Sequence, residues 1–341
     1  KCEIEKTLSV WKILEDSSAY LFNASHSLSV ALDSLYGAYL KAYCPLEFYT
    51  TCIEIYTAKK NKKKLSAIKE EMRAFGIVEG ELKFGENNSI ITFDKNRNVI
   101  TQLLGSIKDI NEKCAVLLYE LSKSKKYDNF LDLLVDINSN KILQSNQLTI
   151  LIKLDYFSEF GKSKYLLSVV DIYNNIAGRK QIKKDQLSKF GLSEEVMDRH
   201  AKSSTAKMYK DFDDMAIIKE LIDNLEDSDI SLKDKIATQL EYLGYVQYTN
   251  EDISDKMFYV LETKFYGNKK DKPYLKLLQI KTGKNFDMKI TTGFELNSFT
   301  EGDIIKVEKA KKVAKKKKGQ DGKYYTVPNE FNIDIERWGV L

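Results

Sequence analysis

Asn23, Ser25, His26 and Ser27 crowd the point where an amphipathic pattern begins in "FNASHSLSVALDSLYGAYLKAYCPLEFY". These residues supply hydrogen-bond donors and acceptors. Asn23, Ser25 and Ser27 are each competent helix N-caps. A helix start also collects free N–H groups and the positive end of the dipole, which attract phosphate. Ser25, Ser27 and His26 would add donors there. On residue type alone, capping and packing outweigh a functional role; the physics permits a triphosphate site without requiring one. Metal chemistry fits poorly. A zinc site needs about four ligands at workable spacing. Here His26 and His200 lie far apart, and Cys2, Cys44, Cys52 and Cys114 form no CxxC pair. No nucleophile–base–orienter set is recognisable.

The elements around this cluster follow from periodicity. Leu28, Leu32, Leu35 and Tyr39 recur at helical spacing, with Ala31, Ala38 and Ala42 on the same side. Pro45 stops that helix and suits the first turn of the next, through Phe48, Cys52 and Ile55. Leu65, Ile68, Met72 and Phe75 line a third helix, and Gly76 suits a left-handed residue after its end. The period changes between Val78 and Val99, where Gly80, Gly85 and Asn88 punctuate short β-rich runs. Helices resume from "VITQLLGSIKDINEKCAVLLYELSKS" to "KSKYLLSVVDIY". A polar stretch with weak periodicity follows, read as a connector with short helices. From Met257 about five strands are predicted: "MFYVLETKFYG", "YLKLLQIKTGK", "FDMKITTG", "DIIKVEKAKKVAKKKK" and "KYYTVPN". The turn "FELNSF" separates the third from the fourth. Five strands with a helix after the third is the order of an OB-fold, a small barrel often used on single-stranded nucleic acid.

The chain of 341 residues is long enough for two or three domains, and 43% hydrophobic with 30% charged residues fits a folded protein. The expected class is α+β multidomain: a mostly helical N-terminal two-thirds followed by a five-stranded OB-fold β-barrel. The expected divisions are 1–76, 77–177, 178–255 and 256–341. No apolar run is long enough to span a bilayer, and the N-terminal residues do not read as a signal peptide. Scattered cysteines suggest free thiols in a reducing compartment. From Lys256 to Leu341 there are 19 Lys plus Arg against 11 Asp plus Glu, a balance of +8; the other 255 residues balance at −4. The C-terminal quarter is therefore the better partner for a polyanion.

The stretch "SAYLFNASHSLSVALDSLYGAYLKAYCPLEFYTTCI" resembles the fingers segment of the alpha subunit of bacterial DNA polymerase III, the C-family replicative polymerase. The matching residues are Tyr20, Phe22, Asn23, Ser25, His26, Tyr36, Ala38, Tyr39, Leu40, Lys41, Pro45, Glu47 and Phe48. "AIKEEMRAFGI" continues the likeness. The resemblance implies that Asn23, Ser25 and His26 lie near the triphosphate of an incoming dNTP. Ala24 stands where the family has a lysine, so one positive charge is missing.

"GSIKDINEKCAVLLYEL" falls where the family carries a helix-hairpin-helix that brings backbone N–H groups to a duplex. Asp109 and Asn111 replace its usual glycines. Both tolerate left-handed backbone, although Asp109 would repel phosphate. "LIKLDYFSEFGKSKYLL" resembles a further family stretch and reads as packing. In the connector, Gln186, Leu187 and Phe190 fit the family's sliding-clamp-binding peptide, with Lys189 in place of an apolar anchor. In the last region, Tyr259, Phe265, Tyr266 and Tyr274 interleave with Lys264, Lys269, Lys270, Lys272 and Lys276, as single-stranded template would require; the same aromatics could be barrel core. Lys311, Lys312 and Lys315, Lys316, Lys317, Lys318 are expected in a hairpin, as sequence-neutral DNA contacts.

The family's palm aspartates hold Mg2+ for phosphoryl transfer. Asp211, Asp213 and Asp214 of "KDFDDMAII" lie long after the fingers segment and do not read as that site. The resemblance thus implies the C-terminal portion of a DNA-directed DNA polymerase, cytoplasmic and nucleoid-associated, with its palm and Mg2+ outside this chain. Its partners would be primer–template DNA, dNTP, the palm-containing segment and a sliding clamp. The portion by itself is expected to be inactive. The alternative is a non-catalytic replication accessory that binds single-stranded DNA and a clamp.

Overall fold

A computed structural model describes residues 2–18, 24–59, 61–86, 89–247, 252–266, 271–318 and 322–341. It divides into two compact units, one of residues 1–80 with 91–102, the other of 81–90 with 103–341.

The first unit is helical. Helices α1 (Cys2–Ser18) and α2 (Ala24–Tyr43) precede α3 (Pro45–Ala58) and α4 (Lys62–Ala74). Pro45 opens α3, where its missing N–H has no intrahelical partner to lose. Asn61 caps α4 by accepting from the Lys64 N–H, and Gly76 at φ +68° turns the chain out of it. Three two-residue strands follow, β1 (Val78–Glu79), β2 (Phe93–Asp94) and β3 (Val99–Ile100), with β3 between the other two. Leu46, Tyr49, Ile53, Met72, Ile77 and Ile100 form the core. Lys69 and Glu79 make a buried ion pair, Nζ to Oε1 2.6 Å. Burial pushes the Lys69 ammonium below the usual lysine range in spite of that partner. The helical stripe read from the sequence on α2 is present but open: Leu28, Leu32, Leu35 and Tyr39 are all exposed.

The second unit begins with α5 (Glu112–Ser124), α6 (Phe130–Ser139), α7 (Ser145–Lys153) and α8 (Ser163–Ile176) around Leu118, Leu133, Leu134, Leu151 and Phe157. Residues 178–255 carry more structure than the expected connector. Strands β4 (Gln181–Lys183), β5 (Ala201–Ser204) and β6 (Met208–Phe212) form an antiparallel sheet, with α9 (Glu194–His200) between the first two. Helix α10 (Asp214–Asp223) joins that sheet's own core, which includes Ile182, Leu187, Met197, Tyr209 and Ile217. Strands of three to five residues are too short to show a period of two, which is why the sequence reading passed over them. Helix α11 (Leu232–Tyr242) follows, and Ile236 packs with Tyr259, Leu278 and Ile304 of the next element.

That element is a mixed five-stranded sheet. Its strands are β7 (Met257–Lys264), β8 (Tyr274–Gln279), β9 (Asn285–Ile290), β10 (Ile304–Lys318) and β11 (Tyr324–Val340). Neighbours run β10-β11-β9-β8-β7, and pairing of Ile304–Lys306 with Met257–Tyr259 closes the ring. The β11–β9 pair is parallel and the rest antiparallel. Alternate residues point inward, giving a core of Phe258, Val260, Leu275, Leu277, Ile290, Ile305, Ile335 and Trp338. The turn Phe294–Leu296 sits between β9 and β10. Trp338 fixes it: the indole Nε1 donates to the Asn297 carbonyl at 3.0 Å, and Asn297 Nδ2 donates back to the Trp338 carbonyl at 3.1 Å.

Candidate nucleic-acid interface

Ser25 and His26 occupy the first turn of α2 and are exposed, as a phosphate site requires. The Ser25 carbonyl accepts from Ser29 Oγ at 2.9 Å. Asn23, Tyr20 and Phe22 lie outside the described residues. Two charged residues of the same segment have other work. Lys41 pairs with Glu71 of α4, whose carboxylate holds the ammonium above the usual lysine range. Glu47 pairs with Lys95, which holds its carboxyl below the usual range. The first pair ties α2 to α4, and the second ties α3 to the turn between β2 and β3.

Of the two residues that replace glycine in the turn before α5, one is left-handed and the other is not. Asp109 adopts φ +68°, and its carbonyl accepts from Gln147 Nε2 at 2.9 Å. Asn111 is extended rather than left-handed; its Oδ1 accepts from the Cys114 N–H and so caps α5. Gly105 is required by close approach, because a Cβ there would lie 3.2 Å from the Glu112 Cα. The side chain of Asp109 is exposed, so a negative charge stands at this turn.

Gln186, Leu187 and Phe190 form part of a 3-10 helix, Lys184–Phe190. Gln186 is exposed, but Leu187 is 4% exposed and sits in the core around the three-stranded sheet. Phe190 packs against that core under the Arg179 guanidinium, 4.5 Å from the ring centre. The two apolar anchors of an extended docking peptide are therefore engaged within the chain. The nearby aspartates also serve local structure: Asp213 caps α10 and Asp214 accepts from the Gly178 N–H. Among the described residues no cluster of His, Cys, Asp or Glu could hold a metal ion.

The barrel gathers the predicted aromatics and lysines unequally. Tyr259 is core. Phe265 leans on Phe294, with ring centres 5.6 Å apart. Tyr266 and Tyr274 are exposed and meet edge to face at 5.1 Å. Lys289 Nζ lies 5.1 Å above the Tyr274 ring. Together with Lys264, Lys276 and Asp287 these residues line a groove of about 250 Å³ across β7, β8 and β9. Lys289 was missed in the sequence, although it follows Asp287 by two and so shares its face. Lys269 and Lys270 lie outside the described residues, and Lys272 is half-buried.

Lys311, Lys312, Lys315, Lys316, Lys317 and Lys318 all fall on β10. They are not equally available. Lys309 and Lys311 both pair with Glu336, whose carboxyl they hold down to about 2. Lys315 pairs with Glu330. Lys312 and Lys316 make no ion pair among the described residues. The side chain of Lys318 lies outside the described residues.

No known family profile matches the chain. It is similar to several curated proteins named DNA polymerase III subunit alpha. That of Aquifex aeolicus is 30% identical over 198 residues, 57% of this chain and 16% of the relative. That of Campylobacter jejuni is 29% identical over 166 residues, 48% and 13% respectively. That of Deinococcus radiodurans is 26% identical over 219 residues, 62% and 16%. The chain thus spans less than a fifth of the length of these relatives. The resemblance carried by the residues around His26 is borne out, and the chain contains a DNA polymerase III alpha-like region. Among the described residues no helix is long and apolar enough to cross a membrane.

Proposed function

We propose that this chain is the C-terminal, nucleic-acid-handling portion of a DNA-directed DNA polymerase. The barrel, read as an OB-fold, would hold single-stranded template. The turn at Asp109 would lie along primer–template duplex, more weakly than a glycine-rich turn would. Ser25 and His26 would meet the triphosphate of the incoming dNTP. Mg2+ would be held by a palm-containing segment outside this chain, and the open stripe Leu28, Leu32, Leu35 and Tyr39 would be covered by such a segment.

The observation that carries the reading is the barrel groove. Exposed Tyr266 and Tyr274 offer π-faces to bases, while Lys276 and Lys289 stand beside them for phosphates; Lys264 is paired with Glu262 on the same groove. Two departures favour a non-catalytic accessory instead: Ala24 lacks the family's charge, and Asp109 opposes phosphate. Clamp docking, which that alternative adds, would have to pull Leu187 out of its core.

The test is a pair of measurements on the full chain. Binding of a labelled single strand should weaken steeply with salt, and absent or salt-insensitive binding would remove the reading. Primer extension with Mg2+ should be undetectable with the chain alone and should appear when a palm-containing segment is supplied. Extension by the chain alone would overturn the assignment of the metal site elsewhere; no extension in the mixture would favour the accessory.

A further inference from the structure

The last two strands outgrow the barrel. Only Ile304–Lys306 of β10 pair with β7, and only Ile333–Ile335 of β11 pair with β9. Residues 309–312 still pair with 333–337 at the barrel; beyond them, residues 313–318 and 324–332 pair with each other and with no third strand among the described residues. Six residues of extended chain reach about 20 Å. Residues 309–332 contain eight lysines against two carboxylates, Asp321 and Glu330.

Lysine stands on both faces of this arm. Successive residues of a strand point to opposite sides, so Lys311 and Lys312 diverge, and so do Lys316 and Lys317. The rungs agree: Lys311 faces Asp334 and Lys312 faces Ile333, while Lys316 faces Thr326 and Lys317 faces Tyr325. Among the described residues, the carboxylates near the arm are Glu308, Glu330, Asp334 and Glu336. Glu308 pairs with Arg337, Glu330 with Lys315, and Glu336 with Lys309 and Lys311. That leaves Lys312, Lys316 and Lys317 outside the ion pairs among the described residues.

A single strand needs one charged face, as in the barrel groove. A cationic ribbon charged on both faces matches two facing walls of phosphate. The major groove of duplex DNA, about 12 Å wide, admits a two-stranded β-ribbon and presents such walls. The geometry points to the β10–β11 arm as a duplex-binding element that lies in a groove of double-stranded DNA, separate from the single-strand site on the barrel. This inference rests on the nucleic-acid reading of the chain.

The experiment compares Lys316→Gln/Lys317→Gln with the unaltered full chain. The probes are a labelled duplex, one of its strands alone, and phosphatidylserine vesicles. Losing two phosphate contacts should lower the log–log salt slope for duplex by about 1.8, a roughly twelvefold smaller loss of affinity between about 50 and 200 mM salt. Single-strand affinity should stay within about twofold. Both side chains are exposed, so the fold should persist by circular dichroism; Lys312→Gln repeats the test at another rung with a slope change of about 0.9. An unchanged duplex slope, or an equal loss on the single strand, sinks the arm assignment and leaves the barrel reading standing. Vesicle binding without duplex binding sinks it in favour of a membrane surface. Binding of neither nucleic acid by the unaltered chain sinks both.

Discussion

Replacing Tyr274 by alanine tests the barrel groove most directly. The ring is 46% exposed, so its removal opens no cavity in the core. What goes is the edge contact with Tyr266 and the cation above the ring from Lys289, both at 5.1 Å. Such contacts contribute roughly 0.5–1.5 kcal/mol each to stability at exposed sites. The loss to a ligand should be larger. A base stacked on an aromatic side chain contributes about 1–3 kcal/mol, or about 5- to 150-fold in affinity. Fluorescence anisotropy with a labelled oligothymidine, at one fixed salt concentration, reads that loss. Tyr274→Phe keeps the stacking face and should bind within about twofold of the parent. If Tyr274→Ala binds as tightly as the parent while its thermal transition is intact, the ring is no stacking platform. An equal loss in Tyr274→Phe would shift the role to the hydroxyl and refute stacking just as firmly.

Other substitutions probe the frame that presents the sites. Glu79→Gln removes the carboxylate that faces the buried Lys69 and should destabilise the first unit by roughly 1–3 kcal/mol; hydrogen exchange of peptides from α4 and β1 should speed up while barrel peptides do not. Leu187→Ala should destabilise the region around the three-stranded sheet by about 2–5 kcal/mol, read as a lower urea midpoint, whereas a silent substitution would mean that the segment is available to a clamp after all. Asp303 is held to about 2 by hydrogen bonds from Lys233 and from Thr300. Its stabilisation is therefore complete above an ordinary aspartate's 3.8 and lost as pH falls toward about 2. Asp303→Asn should lower the melting temperature at pH 6 and flatten its decline in acid between those values; an unaltered acid decline would remove Asp303 from the account.

Local signals made much of the fold legible. Pro45 and Gly76 bracket the helices where their backbone preferences place them. All five barrel strands begin within one residue of their sequence-read starts. The fifth runs much further than "KYYTVPN", because Pro328 and Asn329 read as a turn. In the structure they fall in an irregularity opposite Lys315, with Asn329 at φ +60°, and pairing resumes at Phe331. The short strands around Ile182 and Tyr209 carried too few alternations to be seen. The candidate site was legible as residue types but not as availability. Tyr259 and Tyr274 look alike in sequence, and only the barrel's alternation and the packing of α11 send one inward and leave the other in solvent.

The same sorting applies within the fingers-like segment, and it changes what the resemblance is worth. A dense match to a family segment mixes residues that build the element with residues that face its ligand. Tyr49, next to the matched Phe48, lies in the core with Leu46. Lys41 and Glu47 are matched and charged, yet each is bound to a partner on another element, and those partners set the charge each presents. Neither is free to meet a ligand without first breaking a pair that joins two parts of the first unit. Only Ser25 and His26 combine an exposed position with the first turn of a helix, where N–H groups and dipole favour an anion. With Ala24 in place of a lysine, that site has no fixed cation among its described residues. If it meets a triphosphate as proposed, its hold would depend on the neutral donors and the helix end. A charge from outside this chain would be needed to bring it to the strength of a lysine-bearing site.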